Sequence, residues 1–123
     1  NRLPPRCARC GGIVNTDGVA FGEPIPSDVA QHSLEEASRC DLMLICGTSA
    51  VVYPFANLPR VAKYRKTESG LTLMDRNPEA KIIEVNAEPT PLTEEGISDY
   101  LIRGKTGEIL PKIVDEVKRL REK

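Results

Sequence analysis

The stretch Cys40-Asp41-Leu42-Met43-Leu44-Ile45-Cys46-Gly47-Thr48-Ser49-Ala50-Val51-Val52-Tyr53-Pro54 changes abruptly from an apolar run to small polar residues. Leu42 to Cys46 show no polar alternation, which predicts a buried strand covered on both faces, as in a parallel α/β sheet. Gly47, Thr48 and Ser49 then stand where such a strand ends. In open α/β sheets ligands bind outside the carboxyl ends of the strands, where glycine lets a backbone come close and hydroxyls donate to phosphate or ribose oxygens. The same residues suit an ordinary strand-to-helix turn, so ligand loop and connector both stand at this point.

Downstream, Lys81 to Asn86 predicts a second strand, again followed by polar residues at Ala87-Glu88-Pro89-Thr90. A carboxylate just past such a strand can bond both hydroxyls of a ribose; a solvated loop glutamate is the alternative. Between the two strands, Pro54 to Lys66 carries Leu58, Val61, Ala62 and Arg65 at helical spacing, with Pro54 in the first turn and Pro59 kinking or restarting the helix. Thr67 to Glu79 reads as a surface excursion, with Leu71 to Met74 as a hairpin arm. Asp99 to Arg103 predicts a final strand, and Gly104 to Gly107 a turn into a last helix. That helix sets Ile109, Leu110, Ile113, Val114 and Val117 on one face, with Pro111 near its start and Lys118, Arg119 and Arg121 near its negative end.

Upstream, Ser27 to Arg39 aligns Val29, Ala30, Leu34 and Ala37 in one apolar stripe, with Ser27 and Asp28 as the N-terminal cap. His32 falls off that stripe and reads as a solvated side chain rather than a catalytic one. The element order predicts an α/β fold with an incomplete, Rossmann-like parallel sheet. Neither GxGxxG nor GxxxxGK[ST] occurs, so the fingerprint half of a nucleotide-binding domain is not in these residues.

The N-terminal part differs in kind. Asn1 to Pro5 has no capping signal and no start Met, and the expectation is a longer protein with more chain upstream. Cys7-Ala8-Arg9-Cys10-Gly11-Gly12 has the turn of a zinc knuckle, in which two thiolates two residues apart reach one metal. Structural zinc takes four ligands, and His32, Cys40 and Cys46 fit no usual spacing, which leaves half a zinc site or a redox or merely structural CxxC. Gly18 to Pro26 is closed by two prolines and cannot be helix, so Phe21, Gly22 and Glu23 are expected in a loop or edge strand. Such an edge accepts an extended peptide by strand addition, or is a plain connector.

A chain of 123 residues holds one ordinary core, and 17 basic against 18 acidic residues give no general attraction to nucleic acid or anionic lipid. No apolar run approaches the roughly 20 residues of a membrane span. The absence of Trp, and only five Phe and Tyr, argue against a stacking surface for single-stranded nucleic acid. Cys40 and Cys46 bracket an apolar strand as small core residues do, so a reducing, cytoplasmic setting is expected over a disulfide framework.

Four motifs in order, Cys-x-x-Cys-Gly-Gly from Cys7, Val-x-Phe-Gly-Glu-x-x-Pro from Val19, the stretch from Cys40 to Pro54, and Ile-Ile-Glu-Val-Asn-x-Glu-Pro-Thr from Ile82, closely resemble the C-terminal half of the sirtuins. The resemblance implies an NAD-dependent protein lysine deacylase, with a Rossmann domain and a small zinc-binding domain flanking a cleft that holds the acyl-lysine peptide as a strand. It also implies the products: nicotinamide, deacylated lysine and O-acyl-ADP-ribose. Residues 1–26 would then be the second half of the zinc module and the peptide strand, and residues 27–123 the C-terminal part of the NAD-binding domain. By resemblance Cys7 and Cys10 are the second zinc pair, and Val19, Phe21, Gly22 and Glu23 bind the peptide. Gly47, Thr48 and Ser49 hold NAD phosphates and ribose, Asn86, Ala87 and Glu88 line the adenosine ribose, and Thr106 stands near the adenine. The family's glycine-rich loop, catalytic histidine and first cysteine pair belong upstream of these motifs, so no catalytic residue is expected here and the isolated chain is expected to be inactive. Thr16, Gly18 and Ala20 depart from the family's usual residues beside the peptide. A non-catalytic NAD or ADP-ribose sensor and a zinc-knuckle interaction module are the rival readings.

Overall fold

The computed structural model describes residues 4–64 and 80–122. The excursion at 67–79, its expected hairpin arm and Arg65 lie outside these. In chain order the elements are α1 (Ser27–Arg39), β1 (Leu42–Cys46), a 3-10 turn (Phe55–Asn57), α2 (Leu58–Lys63), β2 (Lys81–Asn86), α3 (Pro91–Glu94), β3 (Tyr100–Arg103) and α4 (Thr106–Arg121). The three strands form one parallel sheet in the order β1, β2, β3, with Cys46 opposite Val85 and Asn86 opposite Arg103 at its carboxyl end. This is the expected α/β, Rossmann-like arrangement.

β2 is the strand closed on both faces: Ile82 and Val85 point to opposite sides and both are fully buried. α2 and α4 pack on β2, and α1 packs on α2. β1 corrects the expectation of a covered strand. It lies at the sheet's edge, with Leu42 and Leu44 about half exposed and Cys46 exposed, while Met43 and Ile45 are half-buried. Coverage is set by a strand's neighbours, and among the described residues only one lies beside it. Cys46 is thus not a core residue, Cys40 is half-buried, and all four cysteines are free thiols.

Further corrections are local. Pro59 does restart the helix, as expected, since a 3-10 turn ends at Asn57 and α2 begins at Leu58 with Pro59 in its first turn. α1 has the expected span, but Pro26 precedes it and no side chain caps it; Asp28 acts only through its charge in the first turn. Ala37 is buried on α1, whereas Val29 and Leu34 are about half exposed. On α4, Ile109, Leu110 and Ile113 are half-buried and Val114 and Val117 are exposed, so only the first half of the apolar face is covered.

Two of the largest fully buried side chains are charged, Lys63 and Glu84. Lys63 Nζ donates to Asp99 Oδ2 at 2.6 Å and to the Ala80 carbonyl at 3.2 Å, and Asp99 Oδ2 also accepts from the Ile82 N–H at 2.9 Å. The pair joins the end of α2 to the starts of β2 and β3. Glu84 accepts from three hydroxyls on and around α3, a short helix missed in the sequence.

Candidate functional site

The carboxyl ends of the three strands bring most of the expected cofactor residues together. Gly47 continues the ladder past β1, its N–H donating to the Val85 carbonyl at 3.0 Å. Its φ is +60°, a backbone region where a side chain is strained, and a Cβ there would lie 3.4 Å from the Thr106 methyl. Glycine therefore lets the loop after β1 touch the first residue of α4. Asn86 Nδ2 donates to the Thr48 carbonyl at 3.1 Å, which ties that loop to the end of β2. Thr48 Oγ1 accepts from the Ala50 N–H at 3.1 Å. An oxygen engaged in this way still carries its own proton for an incoming acceptor. Thr48 and Ser49 are exposed, while Asn86 and Thr106 are half-buried.

Ala87 and Glu88 are exposed beyond β2 and are joined through a residue missed in the sequence. Arg103, the last residue of β3, donates from Nη2 to Glu88 Oε2 at 3.1 Å and from Nε to the Ala87 carbonyl at 3.4 Å. The signal was available in principle: in a parallel sheet the end of β3 lies beside the end of β2, and Asn86 pairs with Arg103. The arrangement offers hydroxyls, an amide and a carboxylate at the carboxyl ends of the strands, with glycine where the loop after β1 meets α4. A ribose and a phosphate suit that donor set. By contrast, an open hollow of about 230 Å³ beside β1 is lined mainly by apolar groups, among them Met43, Ile45, Val52, Phe55 and Pro59.

Val19, Phe21, Gly22 and Glu23 do not form a strand. The Glu23 N–H donates to the Ala20 carbonyl at 3.1 Å, the Glu23 carboxylate accepts from the Ala20 N–H at 3.0 Å, and Gly22 has φ +86°. Glycine's left-handed freedom closes a turn, the loop rather than the edge strand of the two expected alternatives. Phe21 projects at 92% exposure.

At Cys7 the Gly11 N–H donates to its carbonyl at 2.9 Å and the Cys7 N–H donates to the Gly12 carbonyl at 2.8 Å, forming a tight knuckle. Arg6 and Ile13 pair as an antiparallel bridge at its base. The Cys7 thiol is held below its ordinary pKa by the backbone N–H of Cys10, then that of Arg9, and by the Cys10 thiol. A Cβ at Gly12 would lie 3.4 Å from the Cys10 sulfur. Two neighbouring thiols of this kind suit half of a tetrahedral zinc site. Among the described residues no third His, Cys, Asp or Glu joins them. No helix among these residues is long and apolar enough to cross a membrane.

The sequence profile of the Sir2 family matches residues 1–54. A protein of Pyrobaculum aerophilum named NAD-dependent protein deacylase 2 is 44% identical over 117 residues, covering 95% of this chain and 41% of that protein. A Sir2 homologue mutant solved with ADP-ribose superposes with a TM-score of 0.74 at 36% identity, over 99% of this chain and 44% of the other. A sirtuin solved with a myristoylated histone peptide superposes with a TM-score of 0.68 at 44% identity, over 96% of this chain and 44% of the other. The chain thus spans less than half the length of the proteins it matches. In motif order, sequence identity and fold the chain matches the C-terminal part of the sirtuins of the Sir2 family.

Proposed function

We propose that this chain carries part of the NAD, peptide and zinc sites of a protein lysine deacylase, with residues 1–26 in the zinc module and peptide segment and 27–123 in the NAD-binding domain. The observation that supports it is the junction of Gly47, Thr48, Asn86 and Thr106, with Ala87 and Glu88 beside it, at the carboxyl ends of parallel strands. NAD, when bound, supplies a ribose carbon that accepts the acyl oxygen as nicotinamide departs. The residues of this chain bind and orient: Gly47, Thr48 and Ser49 take phosphate and ribose oxygens, Asn86, Ala87 and Glu88 the adenosine ribose, and Thr106 borders the adenine. The turn from Val19 to Glu23 borders the acyl-lysine peptide. Catalytic base and glycine-rich loop come from chain upstream of these motifs, and the setting is the reducing cytoplasm, with neither nucleic acid nor membrane as a direct partner.

The test is nicotinamide release from NAD in the presence of an acetyl-lysine peptide. The full-length protein is expected to release nicotinamide and deacetylate the peptide, and residues 1–123 alone to do neither. ADP-ribose binding by the full-length protein without nicotinamide release would replace the deacylase with a sensor. Turnover by residues 1–123 at the full-length rate would refute the division of labour.

Cys7 and Cys10 lead to a separate expectation. Two thiolates leave two zinc positions to water or buffer, so residues 1–123 should bind zinc weakly and lose it to a chelator. Metal content after gel filtration reads this out, and stoichiometric, chelator-resistant zinc in the monomer would refute the half-site.

A further inference from the structure

We propose that Glu84 is a positioning residue for the strand-end site, holding the connection from Ala87 to Pro89 so that Glu88 is aimed at the ribose. The proposal rests on the NAD reading above. Glu84 is 1% exposed in the middle of β2, on the same face as Ile82 and Asn86. A carboxylate removed from water must have its lone pairs filled, and here hydroxyls fill them. Oε1 accepts from Thr93 Oγ1 at 2.5 Å and Ser98 Oγ at 2.6 Å, and Oε2 accepts from Thr90 Oγ1 at 2.5 Å. These are the short lengths of hydroxyl-to-carboxylate bonds.

All three donors lie in the segment that follows the candidate ribose loop. Thr90 Oγ1 gives its proton to Glu84 while accepting from the Leu92 N–H at 3.2 Å, so the same oxygen caps α3. Thr93 Oγ1 does likewise with the Thr90 N–H at 3.3 Å. The connection is therefore pinned at both ends. Asn86 is held by its amide on Thr48 and by the Gly104 N–H on its carbonyl at 3.0 Å, and Thr90 is held by Glu84. Only residues 87–89 span the gap, Glu88 is the middle one, and Pro89 restricts its backbone further. A glutamine at 84 would turn one acceptor into a donor facing a hydroxyl proton, loosening that anchor without changing its volume.

The test pairs hydrogen exchange in the cofactor-free full-length protein with steady-state kinetics. Glu84→Gln is expected to speed exchange at amides between residues 87 and 95 about tenfold, while the β2 amides that pair with β1 and β3 keep their parent rates. It should raise the KM for NAD about threefold, with kcat and peptide KM unchanged, and should add nothing further in a Glu88→Ala background. Should Glu84→Gln fail to fold, Ser98→Ala, which removes one hydroxyl, is expected to give the same selective pattern at about twofold. Loss of protection spread evenly over the sheet, or an undiminished KM effect in the Glu88→Ala background, would reduce Glu84 to a structural residue. A parent that binds neither NAD nor ADP-ribose defeats the functional reading, and with it the ribose role. A parent that binds while Glu84→Gln keeps the parent KM and exchange defeats this proposal alone.

Discussion

Replacing Lys63 with methionine is expected to cost the full-length protein about 3 kcal/mol of folding stability, because it breaks a buried ion pair and strands one partner. The Lys63 side chain is 2% exposed and that of Asp99 19%, so water reaches the pair poorly. Methionine fills much of the lysine's volume, which isolates the electrostatic loss from a cavity. The Asp99 carboxylate then keeps the Ile82 N–H and loses its cation. Replacing both partners with apolar residues should recover part of the loss, since a buried pair removed whole leaves no orphaned charge. Urea unfolding midpoints of the parent, the single variant and the double variant measure this; a single variant within about 0.5 kcal/mol of the parent, the range of an ordinary surface change, would mean the pair is incidental.

The pair also fixes an acid dependence. Burial pushes the Asp99 carboxyl up, but the hydrogen bonds from Lys63 and the Ile82 N–H, with the charges of Lys63 and Lys81, outweigh it and hold the carboxyl below its usual range. A folded-state pKa below the unfolded value stabilises above the ordinary carboxylate pKa, and that contribution is lost as pH falls through the folded value. Parent stability should therefore decline more steeply into acid than that of Asp99→Asn, which has nothing there to protonate.

The amino-acid sequence made the regular elements and the strand-end residues legible because both depend on local signals. β2 has the span its residues imply, Lys81–Asn86, and α1 likewise, Ser27–Arg39. The four motifs carried the family and the candidate ligand residues together. Coverage was not legible: Leu42 to Cys46 read as the covered strand, yet among the described residues only β2 has strands on both sides. Long-range polar pairing was not legible either. Lys63 and Asp99 lie far apart in the chain, and Glu84 inside an apolar strand gives no sign of which hydroxyls will meet it. Thr90-Pro91-Leu92-Thr93 did carry a capping signal, with proline at the first helical position, from which α3 and its hydroxyls could have been read.

Glu88 and His32 give the sharpest contrast within one protein. In the full-length protein Glu88→Ala is expected to raise the KM for NAD about tenfold or more while peptide KM stays near the parent, and His32→Ala to leave both unchanged. Glu88 lies past the end of β2, where on the proposed reading its carboxylate would meet a ribose diol, and charge-assisted hydrogen bonds of that kind are worth roughly 1.5 to 3 kcal/mol. Its exposure and its Arg103 partner at 3.1 Å set the loss toward the lower part of that range, since the carboxylate gives up another partner to bind the ribose. On the proposed reading, removing it would leave the Arg103 guanidinium beside the ribose position, so discrimination against a 2′-phosphate should shrink in the same variant. His32 is exposed on α1, off the helix's apolar stripe. If His32→Ala abolished turnover while Glu88→Ala kept the parent's dependence on NAD, the assignment of the strand-end residues to the cofactor would be wrong, because one substitution would have spared the ribose contact and the other would have struck a group placed outside the site.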